Sequence, residues 1–187
     1  MPSSFCLNTP RLWIRPLQGN DHQDLAEMMQ NPVVMAAWEH TFTEKEINQW
    51  ILRNLQRYLS DGAGYWAAIS KDSGEMIGQI GLVKTTWQEQ PVFSLGYMLK
   101  PQHWHHGYAT EAAKACVRHA FYQMKRERLI ADIRPENTAS IAVAQRLRMQ
   151  PVGTMDKNVY GKTIPHTVYL LEKPKLQAPP SFLHCSV

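Results

Sequence analysis

The chain has 187 residues, 44% of them hydrophobic, 19% charged and 10% aromatic, enough for one domain with a substantial core. A net charge of +4, spread along the chain, favours an anionic ligand but lacks the basic stripe that nucleic-acid binding demands. The longest apolar run, the six residues Val33 to Trp38, is far below the ~20 of a membrane-spanning helix, the first residues carry no export signal, and the three cysteines (Cys6, Cys116, Cys185) are too scattered for a disulfide framework or a thiolate metal site, so the expected compartment is the reducing cytoplasm.

In chain order, Arg11 to Pro16 alternates polar and apolar residues and predicts a half-buried first strand that the proline ends. Asp21 to Gln30 places Leu25, Met28 and Met29 at helical spacing. Thr43 and Glu46 form a capping-box pair ahead of a second helix, whose apolar-dominated face is Ile47, Trp50, Ile51, Asn54, Leu55, Tyr58 and Leu59. Tyr65 to Ser70 and Met76 to Thr85 flank the turn Asp72-Ser73-Gly74 as a hairpin, and Val92 to Leu99 is a further strand. From Gly107 to Met124, the positions Ala109, Ala112, Ala113, Cys116, Val117, Ala120, Phe121 and Met124 mark the buried stripe of a long helix. Cys116 therefore reads as core rather than as a nucleophile. A short strand (Leu129 to Arg134), a short helix (Thr138 to Leu147) and a closing strand pair (Val152 to Asp156, His166 to Leu171) complete the order. Such alternation predicts a mixed α/β domain around a central sheet. Residues 1–172 are expected to form that domain, and Lys173 to Val187, with three prolines and no periodic pattern, a tail.

Two junctions hold the residues suited to chemistry. Between the Val92–Leu99 strand and the long helix, His105-His106-Gly107-Tyr108-Ala109-Thr110 places a glycine at a helix mouth. Glycine lets the backbone approach a ligand, and the first helical turn leaves unpaired N–H donors and a partial positive charge, a site suited to phosphate. A helix that simply begins at a glycine reads the same way. Asn137, at the next strand-to-helix junction, is placed either to cap that helix or to hold a ligand amide. His103, His105 and His106 are loop neighbours without a carboxylate or cysteine at ligand spacing, so no metal is expected. Trp38, Trp50, Trp66, Trp87 and Trp104 read as core or cleft walls, with Trp38 and Trp87 assigned to a substrate cleft.

In these motifs, the sequence resembles the GNAT acetyltransferase superfamily and its RimJ/RimL-like branch, which acetylates protein N-termini. Trp104 to Ala112 is similar to that branch's acetyl-CoA pyrophosphate loop, Gly96-Tyr97 to the strand before it, and Asn137-Thr138-Ala139-Ser140 to its Asn-x-x-Ser motif. Thr9-Pro10-Arg11-Leu12 and Ile77-Gly78-Gln79-Ile80-Gly81-Leu82 fit its first strand and third-strand glycines, so the likeness spans roughly residues 8 to 172. It implies a mostly antiparallel, splayed sheet of about seven strands flanked by about four helices, with the pantetheine arm of acetyl-CoA between two parted strands. Backbone groups of Tyr97, Met98 and Leu99 would pair with that arm. N–H groups of His105, His106, Gly107, Tyr108, Ala109 and Thr110 would hold the diphosphate, Asn137 a pantetheine amide, and Arg146 a phosphate. The N–H of Met98 or Leu99 would face the oxyanion.

The sequence departs from the superfamily where many members carry a tyrosine seven residues after the asparagine. Ala144 stands there, which shifts the proton-donor role to Ser140. His105 occupies a position where the branch often has glycine, and Arg148-Met149 replaces its usual Gly-Phe. Candidate bases are Glu39 and His40, in the loop between the first two helices. The expected activity is direct acetyl transfer from acetyl-CoA to a protein α-amino group. Alternatives are a small amine acceptor (antibiotic, polyamine or amino acid) or a non-catalytic coenzyme sensor. The expected state is a monomer or homodimer, with neither nucleic-acid nor membrane partners.

Overall fold

The computed structural model describes residues 7–159 and 161–174. Cys6, Cys185 and the tail beyond Pro174 lie outside the described residues. Within them, eight strands form a single sheet: β1 (Leu7–Asn8), β2 (Leu12–Pro16), β3 (Tyr65–Ser70), β4 (Met76–Trp87), β5 (Gln90–Leu99), β6 (Arg128–Ile133), β7 (Gln150–Val159) and β8 (Lys162–Glu172). Their order across the sheet is β1-β2-β3-β4-β5-β6-β8-β7, antiparallel everywhere except between β5 and β6. Four α-helices accompany them: α1 (His22–Met29), α2 (Glu44–Ser60), α3 (Tyr108–Arg118) and α4 (Thr138–Arg146). None of the described helices is long and apolar enough to cross a membrane. The eighth strand, one more than expected, is the two-residue β1, too short to leave a pattern in sequence.

Each face of the sheet carries its own core. Leu12, Ile14, Trp66, Ile80, Leu82 and Leu99 meet the small-residue stripe of α3 (Ala112, Ala113, Cys116) and continue to Val143 and Ala144 of α4. On the opposite face, Ala67, Ile69 and Met76 pack with Leu25, Met28 and Met29 of α1 and Ile47, Trp50 and Ile51 of α2. Cys116 is fully buried, which pushes its thiol pKa up and leaves it unreactive at neutral pH. The helix read over Gly107–Met124 changes character at Arg118: a π-helical turn, His119–Gln123, carries it on and keeps Ala120 and Phe121 buried.

The Thr43–Glu46 box forms as expected, with Thr43 N–H donating to Glu46 Oε2 (2.8 Å) and Glu46 N–H to Thr43 Oγ1 (3.3 Å). The apolar face of α2 turns away from the sheet sooner than its periodicity suggests. Leu55 is 39% exposed and Leu59 89%, whereas Asn54 is fully buried. Asn54 stays satisfied by donating to the Trp50 carbonyl (2.8 Å) and accepting from Tyr65 N–H (2.8 Å), tying α2 to the start of β3.

Parallel pairing of β5 with β6 is confined to Phe93↔Leu129 and Ser94↔Ile130. Beyond that, the two strands diverge, while β5 remains fully paired to β4 from Gly78↔Leu99 to Trp87↔Gln90. The result is a V-shaped opening in the sheet with α3 and α4 above it. At its root, Ser94 donates to Asp132 Oδ1 (2.5 Å) and Lys157 pairs with Asp132, pinning β5, β6 and β7 together.

Candidate active site

The parted strands open into a cleft of about 1320 Å³. Tyr97, Met98 and Leu99 form one wall, and Asn137, Ser140 and Arg146 the other. His105 and Gly107 to Thr110 close one end, and Ala36, Ala37 and Trp38 the other. The volume exceeds the ~300–1,000 Å³ of ordinary small-ligand pockets, which leaves room for a large coenzyme and an acceptor together.

The end at α3 is shaped by backbone conformation. Gly107 is the N-cap with φ 79° and makes no side-chain cap. The helix begins with Glu111 N–H donating to Gly107 O (3.0 Å), so the N–H groups of Tyr108, Ala109 and Thr110 have no acceptor within the helix and border the cleft. A β-carbon at Gly107 would meet nothing nearer than Arg11 Nη2 at 3.6 Å, so the glycine serves the left-handed conformation rather than space. His105 is also left-handed, with φ 63°, which explains the usual preference for glycine there; a non-glycine residue bears ~1–2 kcal/mol of strain in that region. Arg148 shares the conformation with φ 63°. Lys114, Arg118 and Arg146 supply positive charge along the cleft. These donors and cations fit a diphosphate. Lys114 and Arg118, one helical turn apart, carry no signal in the sequence that sets them apart from the ordinary solvated face of an amphipathic helix.

Strand alternation assigns the backbone groups of β5. Lys100 N–H donates to Ile77 O (2.9 Å), and the register is Gly78↔Leu99 and Gln79↔Met98. Main-chain groups therefore point toward β4 at Met98 and toward the opening at Tyr97 and Leu99. Of the two expected oxyanion donors, Met98 is committed to the ladder, and Leu99 presents its N–H to the cleft. The Leu99 carbonyl is held by Trp104 Nε1 at 2.8 Å.

Across the opening, Asn137 caps α4 by accepting from Ser140 N–H through Oδ1 (3.0 Å). Its Nδ2 is then the side-chain donor available for a ligand carbonyl. Both structural and binding readings of Asn137 thus use different atoms of one amide. The Tyr97 hydroxyl donates to the Ser140 carbonyl (3.0 Å), bridging the parted elements. Burial pushes this phenol up to about 12, so it stays protonated at neutral pH. The bridge was not foreseen, because Gly96-Tyr97 signalled only a strand.

Several expected site residues sit elsewhere. Neither Glu39 nor His40 lines the cleft. Glu39 pairs with Arg134 Nη2 (2.8 Å) and Lys162 Nζ (3.2 Å), and hydrogen bonds from those cations lower its pKa, weakening it as a base. His40 Nε2 contacts Glu46 Oε1 at 3.0 Å, within the cap of α2. His106 turns its carbonyl to Arg11 and is not part of the lining. Trp38 stands in the cleft, edge-on to Trp50 with centroids 6.4 Å apart, but Trp87 lies away from it, buried with Val92, Ile130 and Val168 at the far end of β4. The cause is the length of β4, which runs to Trp87 and carries that side chain beneath the β7–β8 hairpin. Among the described residues, no three His, Cys, Asp or Glu side chains converge as metal ligands.

The comparisons with known proteins agree with this geometry. Residues 11–150 match the acetyltransferase (GNAT) domain. The chain is 33% identical over 152 residues to YkkB, an uncharacterized protein of Bacillus subtilis strain 168, covering 81% of this chain and 88% of that one. A GNAT-family acetyltransferase structure from Bacillus anthracis superposes with a TM-score of 0.76 at 26% identity, covering 90% of this chain and 98% of the other. RimL, the ribosomal L7/L12 alpha-N-protein acetyltransferase, in its complex with coenzyme A, shares the fold with a TM-score of 0.76 at 17% identity, covering 90% of this chain and 98% of its own.

Proposed function

We propose, because this chain belongs to the GNAT acetyltransferase family, that it transfers the acetyl group of acetyl-CoA directly to the N-terminal α-amino group of a protein. The catalytic unit is the domain of residues 1–172. Acetyl-CoA supplies an activated thioester; the chain's own residues bind, orient and move protons. N–H groups of residues 108–110 and the cations Lys114 and Arg146 hold the diphosphate, while Tyr97 and Leu99 backbone groups and Asn137 Nδ2 hold the arm. The amine nitrogen attacks the thioester carbonyl, and the Leu99 N–H stabilises charge developing on the acetyl oxygen. As the C–S bond breaks, the Ser140 hydroxyl gives its proton to the departing sulfur and regains one, through solvent, from the attacking nitrogen, leaving amide and free thiol.

The observation that carries the α-amine acceptor is that the carboxylates of the described cleft lining are paired with cations, while its imidazoles, His103 and His105, lie in the loop at the α3 end, opposite the end closed by Trp38. The acidic side chains of that lining are Glu111 and Glu136. Glu111 is enclosed by donors from Thr9 and Arg11, and burial, which would raise its pKa, is outweighed by those bonds, which lower it. Glu136 reaches toward Arg134 Nε (3.5 Å). A site whose carboxylates are paired with cations suits an α-amine of pKa ~7.7–8.0, already partly neutral at physiological pH, rather than a lysine of pKa ~10.4. The shared fold with RimL supports an acceptor of this kind.

The test is thiol release from acetyl-CoA with three acceptor sets: peptides with a free N-terminus, the same peptides N-terminally blocked but containing lysine, and small amines. Turnover confined to the free N-terminus is expected. Turnover with polyamines or amino acids alone would overturn the acceptor, and coenzyme binding without any turnover would overturn the enzymatic reading. Glu39→Gln is expected to lower kcat less than ~10-fold, whereas removal of a working general base costs ~10²–10⁴. A steady-state kcat reduced beyond 10²-fold would return Glu39 to the chemistry.

A further inference from the structure

We propose that Arg11 is a positioning residue for the donor's diphosphate, acting through the backbone of residues 105–108; this rests on the acetyl-CoA reading above. Arg11 stands between β1 and β2, about 100 residues before the helix mouth that it holds. Its Nε donates to Glu111 Oε2 (2.7 Å), its main-chain N–H to Glu111 Oε1 (2.8 Å), and Nη1 to the His106 carbonyl (3.0 Å). The guanidinium also lies 4.3 Å over the Tyr108 ring. One planar fork thus grips the residue before Gly107, the residue after it, and the first turn of α3.

Two physical arguments give this grip a purpose. Left-handed backbone at both His105 and Gly107 persists only where surrounding contacts over-determine it. Trp104, through the Leu99 carbonyl, fixes the start of the loop, and Arg11 fixes its end. The second argument is electrostatic. Glu111 lies in the first turn, where a carboxylate competes with a ligand anion for the helix's positive end. Three donors, Thr9 Oγ1 (2.7 Å) and two from Arg11, turn that carboxylate toward β1–β2 and match its charge, leaving the N–H groups of residues 108–110 for the diphosphate.

The experiment compares acetyl-CoA with S-acetyl-pantetheine, which has the same thioester and arm but no diphosphate, in wild type, Arg11→Ala and Arg11→Lys. Wild type should prefer acetyl-CoA in kcat/KM. In Arg11→Ala, KM for acetyl-CoA should rise at least tenfold with kcat nearly unchanged, and kcat/KM for acetyl-pantetheine should stay at the wild-type value. Arg11→Lys, which keeps the charge but loses the fork, should fall nearer alanine than wild type. Equal losses with both donors would reduce Arg11 to general stability and overturn the inference, as would an unchanged KM. A wild type indifferent between the two donors would overturn the diphosphate reading of the cradle itself, a separate failure visible before any variant is made.

Discussion

Replacing Ser140 with alanine is expected to lower kcat roughly 10²-fold, the low end of general acid catalysis, while the affinity for acetyl-CoA is nearly retained. The low end applies because a thiolate, with a reference pKa of ~8.5, leaves more readily than an amine or alkoxide. The backbone of Ser140 is held from two sides, its N–H by Asn137 Oδ1 and its carbonyl by the Tyr97 hydroxyl. Its side chain lines the cleft beside the Tyr97 phenol, where burial raises the phenol's pKa and hydrogen bonding from Ser140 partly offsets that rise. The nearby phenol is a poorer proton donor, because the Tyr97 hydrogen is already committed to a carbonyl at 3.0 Å. Asn137→Ala should do the converse, weakening acetyl-CoA binding about tenfold, the ~1.4 kcal/mol scale of a lost hydrogen bond to a ligand. Coenzyme titration calorimetry beside steady-state kinetics separates the two. Equal loss of affinity in both variants would mean that Ser140 only supports the cap of α4.

Features written in local pattern were legible in the chain. The Thr43–Glu46 box, the α3 stripe and the placing of Gly107 at the mouth of α3 each depend on residues within a few positions of one another, and local propensity decided them. Tyr97, Met98, Leu99 and Asn137, named through the resemblance rather than through local pattern, line the cleft. What escaped depends on partners far apart in sequence. Leu55 and Leu59 continue the helical period of α2, yet β3 ends its cover at Asn54, and no periodicity within one helix says where its neighbour stops. The closing hairpin, read as Val152–Asp156 and His166–Leu171, runs over Gln150–Val159 and Lys162–Glu172 because β7 is largely solvent-exposed and its residues carry no alternation. Glu39 sat in the expected loop beside the acceptor end, but Arg134 and Lys162, from β6–α4 and β8, claim its carboxylate. Acidity in a loop reads alike whether the group is a base or an anchor.

Gly81→Ala is expected to destabilise the fold by at least ~3 kcal/mol, the upper end of overpacking costs, lowering Tm by roughly 6–12 °C for a chain of this size. A β-carbon at Gly81 would stand 2.2 Å from the Gly64 carbonyl oxygen and 2.5 Å from the Tyr65 Cα. Both are backbone, so relief requires β3 and β4 to move apart at Tyr65↔Gly81, where Leu82 N–H also donates to Gly64 O (3.1 Å). Gly81 pairs in turn with Gly96 on β5, and a β-carbon there would lie 2.0 Å from the Tyr65 hydroxyl oxygen. Three adjacent strands therefore share one Tyr65-Gly81-Gly96 row, in which the partly buried tyrosine ring crosses a floor without side chains next to the opening between β5 and β6. The two glycines should fail differently. At Gly96 the clash is with the far end of a side chain, and removing that oxygen leaves ring carbons at 2.9 and 3.3 Å. Tyr65→Phe should thus return the Gly96→Ala protein to within ~1 kcal/mol of Tyr65→Phe alone, a coupling typical of residues in contact, yet leave Gly81→Ala unimproved. Urea denaturation of wild type, the three single variants and the two double variants measures this directly. Equal rescue at both positions, or a Gly81→Ala protein melting with wild type, would show that the strands are not as closely apposed at this row, and the register that aims Tyr97 and Leu99 into the cleft would lose its anchor.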